Sequence, residues 1–178
     1  TLAQLDGVAF GAGPGGFTGL RLGCGVAQGL AWGLDVPLHP VSTLEVLALE
    51  SGDGNVWACL DARMNEVYGA AYEVAGEVVT QLMAPVCMPP ALMPVPAFAR
   101  GRGVGDGFSA CGSVLQGRKT DLADVRPDLF PTAVGVLRLA APFFLRGHAL
   151  PAAEAQPVYV RDKVALTTAE RIARGGAK

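Results

Sequence analysis

Short apolar runs broken by glycines define the first part of the chain. Residues 5–10 (LDGVAF) form an apolar run that includes a glycine and is followed by another, a pattern typical of a short buried strand. Residues 11–16 (GAGPGG) indicate a loop. Residues 17–34 contain no proline and carry apolar side chains on every face, which predicts a helix. A second strand is predicted for residues 37–41, and the order strand, helix, strand predicts a right-handed unit with parallel strands.

The next part of the chain predicts a short helix followed by three strands. Ser42 and Glu45 have the spacing of a capping box, in which each side chain accepts the backbone amide of the other, so a helix of about eight residues should follow. Residues 55–61 and 66–74 are strand-like and lie close together in the sequence, which predicts a hairpin. A third strand is predicted for about residues 77–83.

The second half of the chain gives weaker patterns. Five prolines in residues 85–96 predict an extended connector and the best boundary between two lobes. A weak strand is predicted for residues 102–105 and a short helix for residues 108–115. Residues 157–160 predict a last short extended piece, and residues 164–178 predict a flexible tail.

A further helix is predicted from Thr132, as its N-cap, through Leu145. Its spacing of apolar residues predicts one buried face. The apolar positions of that face are Val134, Leu137, Leu139, Ala140 and Phe144.

Composition and charge narrow the class of protein. Hydrophobic residues make up 51% of the 178 residues and charged residues only 17%, below the roughly 25% of ordinary domains, which excludes a disordered, highly charged tail protein. The formal net charge of −2 gives no overall field to hold nucleic acid, so such a partner must be held locally or through another subunit. Glycines, Gln28, Asp35 and Pro37 interrupt the apolar stretch 22–38, which makes it a poor membrane span.

The cysteines and histidines form no metal motif. Because the four cysteines are dispersed and no C-x-x-C occurs, we expect reduced, mostly buried thiols in a cytosolic protein. The two histidines stand 109 positions apart and are expected to be structural or exposed. These residues are Cys24, Cys59, Cys87, Cys111, His39 and His148.

Glycines inside the first predicted helix are its most unusual feature. Each glycine disfavours a helix by roughly 1 kcal/mol relative to alanine, which is tolerable where another backbone approaches closely. Either a second chain lies against this helix, the alternative we favour, or the helix is internal in a three-layer sandwich. The close-packing glycines are Gly19, Gly23, Gly25 and Gly29, with Gly33 continuing their spacing.

Two further features admit two interpretations each. The loop of Gly13, Gly15 and Gly16 before a helix could bind an anion, but it matches neither a P-loop nor a dinucleotide fingerprint, so a tight strand-to-helix turn is the alternative. Asp61 could act in function, as a catalytic carboxylate or by orienting Arg63, or it could cap a turn beside a solvated arginine, the interpretation we favour. No nucleophile–base pair can be identified from the sequence.

Several segments together resemble the bacterial TsaB (YeaZ) family. The most specific is residues 13–23 (GPGGFTGLRLG), combined with residues 60–68 (LDARMNEVY). Residues 26–31, 41–48 and 154–161 fit in the same order, and the resemblance extends over about residues 1–163.

This resemblance implies an α/β fold of the actin-like ATPase (ASKHA) class with two lobes. Residues 1–50 would be the remainder of an N-terminal lobe that lacks its first strands, because family members open with an additional Asp-Thr-Ser strand and turn. Residues 51–163 would form the C-terminal lobe, with the connector at 85–96.

The resemblance also implies a non-catalytic role, as an inactive glycoprotease homologue in the cytoplasm. The chain would bind and stabilise a TsaD-type catalytic subunit that modifies position 37 of certain tRNAs to threonylcarbamoyladenosine. A TsaE-type ATPase would join the same complex, tRNA would be reached only through it, and the isolated chain would form a homodimer. No cofactor is expected on this chain, and ATP or ADP would lie at the interface of the complex.

The helix after the Gly-Pro-Gly loop would form the partner interface. Its expected contact residues are Phe17, Leu20, Arg21, Cys24, Gln28 and Trp32. A stand-alone nucleotide-binding phosphotransferase that uses the glycine-rich loop is the alternative function. A protease is a third interpretation, which the absence of a metal motif or nucleophile pair in the sequence disfavours.

Overall fold

The computed structural model describes residues 1–117 and 122–161, and within them the chain is an α/β protein with two sheets. The prediction of an α/β fold is therefore confirmed. In chain order the elements are β1 (Val8–Gly13), α1 (Phe17–Leu34), β2 (Leu38–Ser42), α2 (Thr43–Ser51), β3 (Gly54–Arg63), β4 (Glu66–Ala75), β5 (Val78–Met88), β6 (Gly101–Val104), α3 (Gly107–Gln116), β7 (Leu122–Arg126) and α4 (Ala133–Leu145).

A parallel pair of strands joined by α1 forms the first unit. β1 and β2 pair in register from Val8 with Leu38 to Gly11 with Val41, as the strand, helix, strand pattern predicts. α1 covers one face of this pair and α4 packs on the other, because alternate residues of β1 point to opposite faces. Among the described residues β1 has β2 as its only neighbour, so its second edge carries no strand.

A five-stranded sheet in the order β5-β4-β3-β6-β7 forms the second unit. β3 and β4 are the predicted antiparallel hairpin, whereas β3, β6 and β7 run parallel. α2 packs on the face that carries Val56, and α3 packs on the face that carries the neighbouring Trp57. Trp57 is fully buried, with its ring edge-on to Phe108 at a centroid distance of 5.7 Å.

Side-chain caps begin two of the helices, as their sequences predict. The Ser42 hydroxyl accepts the Glu45 amide at 3.4 Å, and the Thr132 hydroxyl accepts the Gly135 amide at 3.1 Å. The predicted buried face of α4 is wrong in part, because Val134 and Leu137 are 66% and 61% exposed while Ala140 is buried.

Four segments differ from the sequence prediction. β1 continues through residues 11–13, where the sequence predicts a loop. β5 extends through Pro85 to Met88, beyond the predicted end of this strand. Proline is tolerated there because β5 is an edge strand that need not donate on its outer side. β7 was not predicted. Residues 157–160 form no regular strand, although the Val158 amide donates to the Ala12 carbonyl at 2.8 Å.

The segment 150–161 joins the two units. Leu150 and Leu38 exchange backbone hydrogen bonds at one end, and Arg161 binds the β3–β4 turn at the other. The tail predicted at 164–178 lies outside the described residues. In the described part of the chain, none of the helices has the length and hydropathy needed to cross a bilayer.

Candidate docking surface and adjoining cleft

α1 lies on its own sheet through a narrow inner face. Its N-cap is Gly16 and its C-cap is Asp35. Asp35 adopts the left-handed conformation (φ 53°), and its amide donates to carbonyls of the last turn. Cys24, Ala27 and Ala31 are buried against β1 and the turn at 152–155. The inner face is therefore lined by small side chains, which lets the helix lie close to the sheet.

The described residues do not cover the rest of the helix surface, and we call it the open face of α1. A Cβ atom added at any of its five glycines would meet no heavy atom within 4 Å. Four large apolar side chains stand between these glycines, with Trp32 being 74% exposed and Leu22 67%. The open face consists of Gly19, Leu22, Gly23, Gly25, Val26, Gly29, Leu30, Trp32 and Gly33.

Within residues 1–117 and 122–161, this exposure disagrees with one of the two interpretations of the glycine-rich helix. An internal helix of a three-layer sandwich would place atoms of its own chain against the glycines, and the described residues place none there. The loss of helix propensity at these positions is therefore not offset by packing within the described chain.

Two of the predicted contact residues face inwards. Cys24 is 5% exposed, and its thiol lies 3.7 Å from the Ala155 carbonyl oxygen. The Gln28 amide donates to the Ala152 and Ala155 carbonyls at 3.2 and 3.0 Å. These side chains hold α1 to its own chain. The prediction that they lie on a partner-facing surface is therefore wrong.

Three other predicted contact residues lie at the start of the helix. The Arg21 guanidinium stacks over the Phe17 ring, with its carbon 3.6 Å from the ring centroid, and its Nε donates to the Tyr159 hydroxyl at 3.0 Å. Leu20 is half-buried and packs over the glycine-rich loop. A methyl carbon of Leu20 lies so close to Gly13 that a Cβ atom added there would be 2.8 Å from it. Phe17 and Arg21 thus form a rim between the open face and the segment 158–161.

The glycine-rich loop is divided between a strand and a turn. Gly13 ends β1 with φ 108°, a conformation that favours glycine, and a cis peptide bond joins it to buried Pro14. Gly15 and Gly16 follow as the turn into α1, where the Leu20 amide is the first to bond back into the helix. The loop thus forms a tight strand-to-helix turn, and its last two glycines border a cavity.

This cavity, which we call the cleft, has a volume of about 350 Å³ and lies where the two units meet. The carboxyl ends of β1, β3 and β6 all point towards it, an arrangement that commonly positions ligand sites in open α/β sheets. Its lining comes from the start of α1 (14–17 and 20), the end of β3 (60–63), Tyr68, Asp106 and residues 158–161.

The charged groups of the cleft are largely paired within the chain. Asp61 accepts the Arg63 amide at 2.8 Å and the Arg63 guanidinium at 2.9 Å, while its own amide donates to Asp106 at 2.9 Å. Asp61 therefore caps the turn, and Arg63 is paired with it although the arginine side chain is 85% exposed. Arg161 binds Glu66 at 2.7 Å and is only 14% exposed.

Sequence reasoning missed Tyr68, Asp106, Tyr159 and Arg161 as members of the cleft. They come from three separate parts of the chain, namely β4, the N-cap of α3 and the segment 150–161, and no single local motif connects all of them. The available signals were the matches of residues 60–68 and 154–161 to the family pattern, which mark these segments without indicating what they contact.

The histidines and carboxylates of the described residues form no cluster that could bind a metal ion. His39 stacks on Phe143 with ring centroids 4.0 Å apart, and burial lowers the pKa of its imidazole. Across residues 1–117 and 122–161, no group of three or more His, Cys, Asp or Glu side chains could hold a metal ion.

Comparison with known sequences gives consistent matches. The family model described as "TsaD: tRNA N6-adenosine threonylcarbamoyltransferase" matches residues 1–98. The chain is 35% identical to the tRNA threonylcarbamoyladenosine biosynthesis protein TsaB of Haemophilus influenzae, over 92% of this chain and 73% of that protein. It is 34% identical to the protein of the same name from Escherichia coli, over 93% of this chain and 74% of that protein.

Solved structures agree with these sequence matches. YeaZ from Pseudomonas aeruginosa superposes with a TM-score of 0.80 at 36% identity, covering 89% of this chain and 76% of that one. A second structure, described as an uncharacterized protein with similarity to peptidase YEAZ from the same organism, gives a TM-score of 0.82 at 35% identity, covering 90% and 76%.

Proposed function

Because the chain belongs to the TsaB (YeaZ) family, we propose that it is an accessory subunit in the biosynthesis of threonylcarbamoyladenosine in tRNA. It binds and stabilises a TsaD-type catalytic subunit through the open face of α1. Transfer of the threonylcarbamoyl group takes place on that partner, and this chain performs no catalysis of its own.

The open face of α1 is the observation that carries this proposal. Apolar side chains such as Leu22 and Trp32 are more than two-thirds exposed, and full burial of a large apolar side chain is worth roughly 1.5–3 kcal/mol. The bare glycines between them let a second backbone approach closely. A face that combines both features gains most from a helix of another protein lying along it.

The other members of the complex are proposed from the membership of this family. A second copy of the chain covers the same face when the catalytic subunit is absent, so the isolated protein is a homodimer. The TsaE-type ATPase and the tRNA join through the catalytic subunit, in the cytoplasm. The loop that contains Gly15 and Gly16 matches neither a P-loop nor a dinucleotide fingerprint, so we assign no cofactor to this chain alone. We propose that any ATP or ADP binds at the interface of the complex.

Leucine substitutions on the open face test the proposal. Gly25→Leu and Gly29→Leu fill the space that a partner backbone would occupy, while leucine is a better helix former than glycine. We expect either variant to fold as well as the original chain and to lose association with the TsaD-type subunit. Size-exclusion chromatography of the mixed proteins measures the association, and circular dichroism measures the fold.

Two variants serve as matched controls. Gly25→Ala adds only a methyl group and should weaken association less than Gly25→Leu. Ser113→Leu places the same apolar bulk on an exposed position of α3, away from α1, and should leave association unchanged. Normal complex formation by both leucine variants of α1 would refute the proposed interface.

The stand-alone phosphotransferase is kept as an alternative because the cleft lies beside the start of α1, where a helix end favours anions. Calorimetry of the isolated chain with ATP and magnesium separates the two functions. An accessory subunit should show no turnover, whereas binding accompanied by phosphate release would favour the alternative.

A further inference from the structure

Arg21 is the single charged side chain of α1, and the chain holds it in a fixed position. Its guanidinium is stacked 3.6 Å above the Phe17 ring and bonded through Nε to Tyr159, whose ring centroid is 5.7 Å away. A planar guanidinium combines stacking on an aromatic face with hydrogen bonds in its own plane. The side chain is therefore oriented before any partner arrives.

The hydrogen-bonding capacity of Arg21 is mostly unused. Only Nε has a hydrogen-bond acceptor among the described residues, which leaves the two terminal nitrogens open. Every salt bridge that the described residues form uses other arginines, so no carboxylate of these residues lies within 4.0 Å of Arg21. The two arginines that line the cleft differ, because Arg63 pairs with Asp61 and Arg161 with Glu66.

The position of Arg21 places this charge where a docked helix would cover it. Gly25 lies one turn further along the helix on the same side and has open space around it. A partner backbone that approaches Gly25 would remove water from the neighbouring guanidinium. Covering an unpaired charge is unfavourable, so the partner must supply the missing acceptor.

We propose that Arg21 is a preoriented receptor for a carboxylate of the protein that docks on the open face of α1. The inference rests on the proposed function and specifies the chemistry of the partner: a helix that presents an Asp or Glu beside its close contact with Gly25. A carboxylate matches the fork of two terminal guanidinium nitrogens, which gives orientation as well as attraction. Tyr159 acts as a positioning residue for Arg21.

Binding of the TsaD-type subunit to arginine variants tests this inference. Arg21→Ala should weaken binding about tenfold, equivalent to roughly 1.4 kcal/mol, and should abolish most of the salt dependence of the dissociation constant. Arg21→Lys keeps the charge without the fork and should retain the salt dependence with affinity about threefold lower. Arg146→Ala is the matched control, since that arginine is exposed at the end of α4 and lies outside α1 and the cleft.

The positioning role of Tyr159 needs a separate measurement. Tyr159→Phe removes the hydroxyl that accepts from Arg21 and keeps the ring, so it should lower affinity about twofold and leave the salt dependence intact. Combined with Arg21→Ala it should have no additional effect, because both changes act on one contact.

The outcomes separate this inference from the proposed function. If Gly25→Leu abolishes binding while Arg21→Ala leaves both affinity and salt dependence unchanged, the docking surface stands and the carboxylate receptor is overturned. Restoration of Arg21→Glu binding by an Asp or Glu to Arg substitution on the TsaD-type subunit would establish the pair. An effect of Arg21→Ala that is independent of salt indicates a neutral acceptor, and one that requires added tRNA indicates a phosphate; either result overturns the inference.

Discussion

Arg161 donates two hydrogen bonds to one carboxylate oxygen of Glu66, from Nε at 3.0 Å and from Nη2 at 2.7 Å. Nη2 also donates to the Ala62 carbonyl at 2.8 Å. Since Glu66 begins β4 and Ala62 lies near the end of β3, this one side chain fixes the segment 150–161 to the β3–β4 turn. The contact joins the two units and forms one wall of the cleft.

Arg161→Met should therefore destabilise the chain. The substitution keeps the apolar stem, removes the charge-assisted bonds to Glu66 and leaves the Ala62 carbonyl without its donor. We expect the free energy of unfolding to fall by about 1–2 kcal/mol. The loss is smaller than for a fully buried ion pair, because Glu66 is about a third exposed and water screens the pair. Urea unfolding followed by circular dichroism measures the change.

A second arginine provides the control for that measurement. Arg63 also forms an ion pair, but its side chain is 85% exposed and its salt bridge is screened by water. Arg63→Met should leave the unfolding midpoint nearly unchanged. Equal losses in both variants would mean that the bridge to Glu66 contributes nothing beyond an ordinary surface charge.

Alanine substitutions at two helical glycines should have opposite effects. At Gly23 a new Cβ meets open space, so Gly23→Ala should raise the stability of the monomer by roughly 1 kcal/mol. At Gly135 a new Cβ would lie 2.7 Å from a methyl carbon of Val46, so Gly135→Ala should lower it by about 1–3 kcal/mol. Thermal unfolding of the two variants in dilute solution gives the comparison.

The sign of the Gly23 result is the informative part. A decrease in stability would show that α1 is packed on that side even in the isolated chain. An increase would show that glycine is unfavourable for folding at this position and is kept for another reason, as a docking surface requires.

Local patterns predict the elements of this chain better than they predict which faces are buried. α1 begins and ends at the predicted residues because residues 17–34 carry no proline and a glycine-rich loop precedes them. Periodicity could not tell that Val134 and Leu137 face outwards, because that depends on which neighbours α4 meets. The sequence does not predict β7, because this five-residue strand carries an aspartate, Asp124, at its centre and an arginine, Arg126, at its end.

The candidate site shows the same limit. The glycine spacing of α1 identifies a close-packing surface from the sequence alone, because no side chain intervenes. The inward position of Cys24 and the link from Arg21 to Tyr159 could not be predicted, since their partners lie more than a hundred residues away. Contacts of this range are decided by how the segment 150–161 crosses α1.

The pH dependence of stability should contain a contribution from His39. Burial lowers the pKa of this imidazole below its ordinary value of 6.5, and its buried Nδ1 has no hydrogen-bond partner among the described residues. The unfolded state therefore binds a proton more readily than the folded state, and stability decreases as the pH falls through 6.5 towards the folded-state pKa. Above pH 7 both states are neutral and the contribution vanishes.

His39→Phe removes the titrating group and preserves the stacking on Phe143. Urea unfolding of both proteins from pH 8 to pH 5 should give curves that run parallel above pH 7 and diverge below it, with the variant losing less stability. Curves that stay parallel over the whole range would show that His39 takes up its proton equally easily in both states.

Tryptophan fluorescence should report docking on α1 directly. Trp32 is 74% exposed on the open face, whereas Trp57 is fully buried between β3 and α3. In dilute solution acrylamide should quench the emission of Trp32 and leave that of Trp57 largely unaffected, so Trp32→Phe should remove most of the quenching. Addition of the TsaD-type subunit, or self-association at higher concentration, should shield Trp32 and shift its emission to shorter wavelength. If quenching of Trp32 stays the same while chromatography shows a complex, the partner binds elsewhere and the open face of α1 remains in water.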